Sequence, residues 1–432
     1  MVKSLIKKIT PIFLLNCYHK SLALLAMLIF NNPSKKLIVI GVTGTNGKST
    51  TVNIIAEILE EAGYKTGLTS TTNFKIGGQD KLNDQKMTMM GRFKTQKFLK
   101  RMVKESCAYA IIETSSEGIK QCRHLGINYD LAVFTNLTPE HIESHGSFEK
   151  YKEAKGKLFK HLTARKIKTI NGKKIPKIII ANKDDRYFEY FNSFEANRKI
   201  SYSINQGSDL QATEIRLQSN GTTFAVNDES FKTNLLGKVN IYNCLASMAV
   251  CQTQAVSWEE MRQALLKYQG LAGRFEFIDQ GQDFQVMVDY APEPESMKRL
   301  YETLKIFNFN KIIHVLGSCG GGRDTARRPI LGEIAGRNAQ VNIITNEDPY
   351  DDDPQMIIDQ VAEGSLKTGK VLDQNLFKII DRKEAIKKAL DLAEENDLVL
   401  ITGKGCEQYI CVKDGQKIPW DDREVVKKLL AS

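Results

Sequence analysis

None of the eight cysteines in this chain of 432 residues stands at C-x-x-C spacing from another. This absence argues against a zinc ribbon, and scattered cysteines of this kind are typical of reduced thiols inside a cell. The sequence also lacks an arginine-rich tract and any nucleic-acid-binding motif. We therefore expect no nucleic-acid partner, although the formal net charge of +10 suits a membrane surface or a polyanionic small substrate.

Acidic residues are missing from the beginning of the chain, where the first is Glu57. The lysines among residues 1–36 are Lys3, Lys7, Lys8, Lys20, Lys35 and Lys36. The apolar run of residues 22–30 is far shorter than the roughly 20 residues that cross a bilayer, and no small-x-small cleavage site follows it. Residues 1–36 therefore predict a short basic and apolar helical segment that either packs on the protein body or lies on a membrane. If the helix packs, we expect its hidden side to include Leu15, Leu22, Leu25 and Phe30.

The length of the chain exceeds what one hydrophobic core can organise. Strand-like apolar runs alternate with helical stretches up to residue 182, which is typical of a mainly parallel, doubly wound α/β sheet. Residues 192–235 are polar and turn-rich, and we expect short antiparallel strands there. The α/β alternation then restarts. We predict the helical segment 1–36, a central domain 37–272 with the mainly parallel sheet, and a C-terminal Rossmann-like α/β domain 273–432.

The stretch GVTGTNGKST, residues 41–50, follows a strand-like run and opens a helical one. Its glycines depart from the common G-x-x-x-x-G-K-[ST] spacing. A glycine loop in this position can cradle phosphates with its backbone N–H groups at a helix N-terminus. Lys48 supplies a cation for the terminal phosphates, and Ser49 supplies a hydroxyl for Mg²⁺.

Polar residues also follow other strand-like runs. Glu113 ends one strand, and His141 follows the next. Because parallel strands end at the same edge of a sheet, these two side chains could hold a second divalent ion with ATP oxygens. Further along, Arg323 suits a phosphate or carboxylate, and Glu407 suits an ammonium group.

Read together, these motifs resemble the Mur ligases, and among them the tripeptide synthetases of the MurE type. The resemblance covers residues 37–432, and it implies that domain 37–272 is a P-loop ATPase domain and that domain 273–432 binds an amino acid. It is carried in order by GVTGTNGKST, ETSSEGIKQCR, TNLTPEHIESHG, YKEAKGKLF, GKVNIYN, GRFE, VDYAPEP, GGGRD, NEDP and GKGCE.

The resemblance implies an ADP-forming ligase of peptidoglycan precursor synthesis, serving cell-wall biogenesis, cell shape and cell division. ATP would activate a carboxylate of UDP-MurNAc-L-Ala-D-Glu as an acyl phosphate, and a diamino acid, L-lysine or meso-diaminopimelate, would attack it. The family also implies a cytoplasmic monomer, and residues 1–36 add the possibility of peripheral contact with the inner face of the plasma membrane.

Site residues carry over by position. Those implied for ATP are Gly44, Thr45, Asn46, Gly47, Lys48, Ser49, Thr50, Asn240, Asn243 and Arg274. Those implied for two Mg²⁺ ions are Ser49, Glu113, His141 and Lys155, the last as a carbamate. The implied catalytic group is Lys48, Glu113, His141 and Lys155. Those implied for the UDP-MurNAc-dipeptide and the amino acid are Thr71, Thr72, Ser115, Gln121, Arg123, Arg323, Asp348, Gly403 and Glu407.

Several positions depart from the family pattern. Glu140 stands where Asp is usual, and Pro292 and Cys406 stand where His is usual. Tyr350 replaces the arginine that anchors the second carboxylate of diaminopimelate, which favours L-lysine as the added residue. The alternatives are a Mur-like ligase acting on another carboxylate, as in folylpolyglutamate synthase or a lipid-linked peptidoglycan-modifying enzyme, and a membrane-tethered ATP-binding scaffold.

Overall fold

The computed structural model describes residues 11–139, 145–322 and 325–431, without the side chain of Ile12. The helices of these residues are α1 (Ile12–Ile29), α2 (Lys48–Glu61), α3 (Arg92–Lys104), α4 (Ser116–Lys120), α5 (Phe148–Thr163), α6 (Phe188–Asn192), α7 (Lys238–Gln252), α8 (Trp258–Lys267), α9 (Pro294–Leu304), α10 (Arg327–Asn338), α11 (Pro354–Leu366), α12 (Arg382–Asp391) and α13 (Asp422–Leu430). Short 3-10 turns span Pro33–Lys36 and Lys413–Gly415.

The strands complete the set of elements. They are β1 (Ile38–Thr43), β2 (Thr66–Thr69), β3 (Asn73–Ile76), β4 (Gln79–Leu82), β5 (Tyr109–Glu113), β6 (Leu131–Phe134), β7 (Lys168–Ile170), β8 (Lys173–Ile175), β9 (Ile178–Asn182), β10 (Arg198–Ser203), β11 (Leu210–Gln211), β12 (Thr213–Gln218), β13 (Gly221–Val226), β14 (Glu229–Thr233), β15 (Glu276–Ile278), β16 (Gln285–Asp289), β17 (Ile312–Leu316), β18 (Val341–Thr345), β19 (Leu376–Ile379), β20 (Leu398–Thr402), β21 (Tyr409–Cys411) and β22 (Lys417–Pro419).

The first large sheet has the strand order β11-β10-β9-β6-β1-β5-β2-β3-β4. Its pairings from β11 to β2 are parallel, and β3 and β4 add an antiparallel edge. The central strands are almost continuous apolar runs because helices cover both faces of a parallel sheet. Alternate residues of β1 show this, since Ile40 and Val42 face the cluster of α2, α7 and α8, while Val39 faces the cluster of α3 and α5. The predicted doubly wound α/β class is confirmed.

The polar stretch 192–235 is only partly antiparallel. Strands β12, β13 and β14 form an antiparallel three-stranded sheet, as expected. The expectation is wrong for β10 and β11, which extend the large sheet in parallel. The short helix α6 lies between β9 and β10 and returns the chain, so β10 can run in the same direction as β9 and bury Ile200 and Tyr202.

The second large sheet has the order β15-β16-β20-β17-β18-β19, with β15 antiparallel at one edge and the other pairings parallel. Helices α9, α10 and α11 pack on one face, and α12 and α13 pack on the other. The chain passes from the first unit, with the nine-stranded sheet, to the second unit, with the six-stranded sheet, between α8 and β15. The boundary at residue 272 stays a prediction.

Helix α1 packs on the body along one side only. Ala23 and Ala26 are buried, and the helix lies against α3. The opposite side exposes the apolar residues Phe13, Leu14, Tyr18, Leu24, Leu25, Leu28 and Ile29. The expectation that Leu25 is hidden is therefore wrong, because its side chain is 47% exposed. In the described part of the chain, no helix is long and apolar enough to cross a membrane.

Candidate active site

The pairing of three strands brings the predicted polar residues to one edge of the first sheet. Strand β1 lies between β5 and β6 in parallel, with Val42 opposite Glu113 and Thr43 opposite Phe134. The loops that follow these strands therefore leave the sheet side by side. Ligands of open α/β sheets bind at such carboxyl edges.

The loop after β1 requires glycine at two positions. Gly44 has φ of +153° and Gly47 has φ of +81°, both in the region that favours glycine. A Cβ on Gly44 would lie 1.9 Å from the Thr135 hydroxyl, and a Cβ on Gly47 would lie 2.2 Å from Oδ1 of Asn243. Close packing as well as backbone conformation therefore explains these two glycines of the loop.

Two residues that sequence reasoning missed hold the loop in place. The Thr135 hydroxyl donates to the Asn46 carbonyl at 2.7 Å, and Oδ1 of Asn136 accepts from the Asn46 N–H at 2.9 Å. The Asn136 carbonyl also accepts from the Thr45 N–H at 2.8 Å. Both residues stand in the TNLTPEHIESHG motif, in which the sequence predicts only His141 as a site residue. Their position directly after a strand was the available signal.

Helix α2 begins in this loop, with Gly47 as its N-cap, so its first N–H groups face the space where phosphates would lie. Nζ of Lys48 donates to the Thr45 carbonyl at 2.6 Å, which keeps the cation over the loop. The Ser49 hydroxyl donates to Oε2 of Glu113 at 2.8 Å. The predicted cation, hydroxyl and carboxylate therefore lie together.

The carboxylate of Glu113 is 1% exposed and is held by neutral donors. It accepts from the Thr71 N–H at 2.7 Å, from the Thr71 hydroxyl at 2.9 Å and from Ser49. The Thr71 hydroxyl is also 2.9 Å from the hydroxyl of Thr88, a residue that sequence reasoning missed. These contacts orient Glu113 towards the phosphate loop.

This donor set fits a magnesium ion. Mg²⁺ is usually bound through one or two carboxylates, a hydroxyl and substrate phosphates rather than by a full protein cage. Glu113 and Ser49 provide the carboxylate and the hydroxyl beside the loop. The described residues contain no group of three His, Cys, Asp or Glu side chains that could hold a metal. The predicted ligand His141 lies outside the described residues.

Lys155 lies at the same loop although it comes from α5. Its side chain is 2% exposed, its Nζ donates to the Gly44 carbonyl at 2.6 Å, and the same atom lies 4.5 Å from the centre of the Tyr151 ring. The Tyr151 hydroxyl is 3.1 Å from that of Thr45. The structure therefore places the Lys155 side chain against the backbone of the loop.

A cavity of about 600 Å³ opens beside the loop, between the two large sheets. The predicted ATP residues in its wall are Asn46, Gly47, Thr50, Asn240, Asn243 and Arg274. Asn243 reaches it from α7, where Nδ2 donates to Oδ1 of Asn240 at 2.9 Å. The guanidinium of Arg274 lies 4.4 Å from the centre of the Tyr290 ring. The cavity is large enough for the base and ribose of a nucleotide whose phosphates lie on the loop.

Three predicted substrate residues form a separate group around α4. The Ser115 hydroxyl caps this helix by accepting from the Gly118 N–H at 3.2 Å. The Arg123 guanidinium donates to Oε1 of Gln121 at 2.8 Å and also to the Met89 carbonyl. Arg123 and Gln121 are therefore fixed to each other and to the segment that carries Thr88.

In the C-terminal unit, the residues that are predicted to bind the incoming amino acid contact a lysine that sequence reasoning missed. Nζ of Lys404 donates to Oδ1 of Asp348 and to Oε2 of Glu407, both at 2.8 Å. Lys86, from the first unit, donates to the other oxygen of Asp348 and to Oε2 of Glu407 at 2.7 Å. Burial raises the pKa of Asp348, but the two lysines outweigh it and hold that pKa below its ordinary value. The predicted Arg323 lies outside the described residues.

The loop that carries Glu407 has two further features. Gly403 has φ of +103°, and a Cβ there would lie 2.5 Å from Oε2 of Glu347, so the glycine permits a close approach of that buried carboxylate. Burial raises the pKa of the Cys406 thiol, while Arg274 and Arg423 oppose that rise. The predicted residue Thr72 is 2% exposed, and its N–H donates to the Ser70 hydroxyl at 3.1 Å. The backbone of Cys406 lies against Gly273, where an added Cβ would come within 2.1 Å of the Cys406 nitrogen.

Comparison with known proteins identifies this arrangement. Residues 42–251 match the Mur ligase middle domain, and residues 273–405 match the Mur ligase, glutamate ligase domain. The chain belongs to the Mur ligase family. It is 36% identical over 422 residues to UDP-N-acetylmuramoyl-L-alanyl-D-glutamate--2,6-diaminopimelate ligase of Geobacillus kaustophilus, covering 96% of this chain and 83% of that protein. The protein of the same name from Bacillus cereus is 37% identical over 425 residues, covering 97% and 83%.

Solved structures agree with this assignment. A structure of a UDP-N-acetylmuramoyl-L-alanyl-D-glutamate--2,6-diaminopimelate ligase aligns with a TM-score of 0.60 at 28% identity, over 91% of this chain and 78% of that one. The folylpolyglutamate synthase of Mycobacterium tuberculosis aligns with a TM-score of 0.70 at 14% identity, over 89% and 92%, and shares the fold. The resemblance to the MurE type is confirmed, and this Mur ligase is an ATP-using ligase of peptidoglycan synthesis.

The close contact between Gly47 and Asn243 gives a testable consequence. In Gly47→Ala, the added Cβ would press on the Asn243 side chain and strain the loop, so we expect the affinity for ATP to fall at least about tenfold. Equilibrium titration with a fluorescent ATP analogue measures the loss.

Gly63→Ala is the matched control. Gly63 has nearly the same φ, +82°, at the other end of α2, but nothing lies within 4 Å of an added Cβ. We expect it to lower stability by about 1 kcal/mol without changing nucleotide affinity. Equal loss of ATP binding in both variants would show that the Asn243 contact is not what matters.

Proposed function

We propose that this Mur ligase joins a carboxylate of UDP-MurNAc-L-Ala-D-Glu to the amine of a diamino acid, with ATP as the energy source. The observation that carries the proposal is the hydrogen-bonded set of Ser49, Glu113 and Thr71 beside the phosphate loop. The names of relatives at 34–37% identity support the choice of carboxylate substrate.

The first step activates the carboxylate. A carboxylate is a poor electrophile, so one of its oxygens attacks the γ-phosphorus of ATP, giving an acyl phosphate and ADP. Lys48 and the N-terminus of α2 offset the negative charge that gathers on the phosphoryl oxygens. Bound Mg²⁺, held by Ser49, Glu113 and His141, would supply further charge neutralisation there.

The second step forms the amide. The neutral amine of the amino acid attacks the acyl carbon, and phosphate leaves. We assign the UDP-MurNAc-dipeptide to Thr71, Thr72, Ser115, Gln121 and Arg123, and the amino acid to Arg323, Asp348, Gly403 and Glu407. The amino-acid group belongs to the second unit and the phosphate loop to the first, so the two substrates would approach from different units, and closure of the units would exclude water from the acyl phosphate.

Two features of the site bear on which amino acid is added. Asp348 and Glu407 suit an ammonium group, which both L-lysine and meso-diaminopimelate carry at the distal end. Tyr350 offers no cation to a second carboxylate, and that favours L-lysine. The names of the relatives favour 2,6-diaminopimelate.

The proposed carbamate on Lys155 rests on its place at the loop. Carbamylation converts the cation into an anion while keeping one N–H, which can still donate to the Gly44 carbonyl. The anion is useful next to a second Mg²⁺ and unfavourable without it.

The exposed face of α1 suits an anionic membrane surface. Leu24, Leu25 and Leu28 are 44%, 47% and 70% exposed on that helix. Lys20 and Lys35 lie close to them in the chain, and no acidic residue precedes Glu57. Apolar side chains flanked by lysines bind reversibly to anionic lipid. We place this contact at the inner face of the plasma membrane, with catalysis in the cytoplasm by a monomer.

Phosphate release tests the proposed reaction. With UDP-MurNAc-L-Ala-D-Glu, ATP and Mg²⁺, we expect release that depends on L-lysine or meso-diaminopimelate and is absent with L-alanine. Glu113→Gln should lower kcat at least about a hundredfold, because it removes the charge that holds the metal. Release only with a folate and glutamate would contradict the substrate assignment.

Lys155→Ala tests the carbamate. We expect the variant to lose most of its activity and to regain part of it with short carboxylic acids such as acetate or formate, which can replace the missing anion. The same acids should have no effect on Lys160→Ala, which removes another lysine of α5. Full activity of Lys155→Ala without added acid would refute the role.

The double variant Leu24→Gln and Leu28→Gln tests the membrane contact. We expect the full chain to co-sediment with phosphatidylglycerol vesicles and the double variant to lose most of this binding, with unchanged phosphate release in solution. Leu266→Gln with Leu366→Gln is the matched control, because these side chains are 44% and 49% exposed on other helices. Equal binding by all three proteins would exclude α1 as the contact.

A further inference from the structure

The group of Lys86, Lys404, Asp348 and Glu407 joins the two units of the chain through charge. Lys86 belongs to the first unit and stands 262 residues before Asp348. Its side chain is 10% exposed, and that of Asp348 is 4% exposed. Two cations face two carboxylates, so the group is neutral as a whole.

The lysine is fixed by a loop that also reaches the phosphate site. Nδ2 of Asn83 donates to the Ser70 carbonyl at 2.8 Å and to the Met87 carbonyl at 3.0 Å. Two residues after Lys86, the Thr88 hydroxyl contacts that of Thr71, which in turn donates to Glu113. The cation is therefore held on the same short segment as the contacts to the catalytic carboxylate.

Lys86, Lys404, Asp348 and Glu407 carry opposite charges, and the lysines and Asp348 are each stabilised in their ionised forms by this pairing. Burial alone would lower the pKa of Lys86, but Glu407 and Asp348 raise it well above its ordinary value. Burial likewise opposes ionisation of Lys404, and the same two carboxylates raise its pKa. A ligand that enters this group meets four formal charges.

A neutral group of this kind matches a zwitterion better than a lone cation. The distal end of L-lysine is a single ammonium, which would leave one uncompensated positive charge if it entered between the carboxylates. The distal end of a diamino dicarboxylic acid carries both an ammonium and a carboxylate. Its ammonium can pair with Asp348 and Glu407 while its carboxylate pairs with Lys86, so every charge keeps a partner.

We propose that Lys86 is a specificity-determining residue that recognises the distal carboxylate of the incoming diamino acid and selects meso-diaminopimelate over L-lysine. This role rests on the proposed function. Lys86 supplies the cation that Tyr350 does not. It does so from the first unit, so the correct amino acid also links the two units around the acyl phosphate.

The test compares Lys86→Met with the unchanged chain in the phosphate-release assay with UDP-MurNAc-L-Ala-D-Glu. We expect the variant to raise the KM for meso-diaminopimelate at least about tenfold with little change in kcat, because it removes one partner of a buried charge pair. We expect the KM for L-lysine to fall, because the group is then left with a net negative charge. Lys86→Arg should retain the preference for meso-diaminopimelate.

Lys81→Met is the matched control. Lys81 precedes the same loop, its side chain is 73% exposed, and it pairs with Asp84. It should leave both KM values unchanged. If Lys86 only holds the two units together, Lys86→Met will raise the KM for both amino acids by the same factor, and the proposal is overturned. A preference of the unchanged chain for L-lysine overturns it as well.

Binding of radiolabelled meso-diaminopimelate, measured by equilibrium dialysis with the ATP-bound chain, separates this proposal from the proposed function. Absence of phosphate release with every amino acid would count against the function. Binding by the unchanged chain and its loss in Lys86→Met would then still support the role of Lys86. No binding by the unchanged chain would overturn that role.

Discussion

The parallel pairing of β1 with β5 and β6 is the constraint on which the active site depends. It sets the register that places Val42 opposite Glu113, so that the phosphate loop and the carboxylate leave the sheet at the same edge. From there, short contacts complete the arrangement, since Thr135 and Asn136 hold the loop from one side and Ser49 reaches Glu113 from the other. A change of register by one residue would turn Glu113 into the apolar core.

The second unit contributes through contacts that cross between the two large sheets. Within the second unit, Gly273 lets the chain pass against Gly405 and Cys406, where a Cβ would lie 2.1 Å from the Cys406 N–H nitrogen. Arg274 follows at once and lines the nucleotide cavity. Lys86 of the first unit forms ion pairs with Asp348 and Glu407 of the second unit. The amino-acid group and the phosphate loop are thus connected by two short segments of chain.

Sequence patterns predicted the α/β class and the phosphate loop because both depend on local signals. A run of apolar strand residues followed by glycines and Lys48 can be recognised in the sequence without knowledge of any tertiary contact. The pattern failed at β10, where pairing partners rather than composition decide between a parallel and an antiparallel neighbour. It also failed at Leu25, because both sides of α1 are apolar and sequence alone does not say which side packs.

Within the site, two of the missed residues carry no signal in the sequence. Thr88 and Lys86 act through partners elsewhere in the chain, and an isolated threonine or lysine in a polar stretch has no distinguishing pattern. The family resemblance predicted Lys155 as a site residue. The sequence of its helix alone does not show that this lysine contacts the loop. The contacts between units could be found only from the folded chain.

The fate of the carboxylate oxygen tests the central claim most directly. UDP-MurNAc-L-Ala-D-Glu with ¹⁸O in the reacting carboxylate is incubated with ATP, Mg²⁺ and the diamino acid, and the released phosphate is analysed by mass spectrometry. Activation through an acyl phosphate predicts one ¹⁸O atom in the phosphate for each amide formed. Amide formation with unlabelled phosphate, or phosphate release without an amide product, would contradict the account.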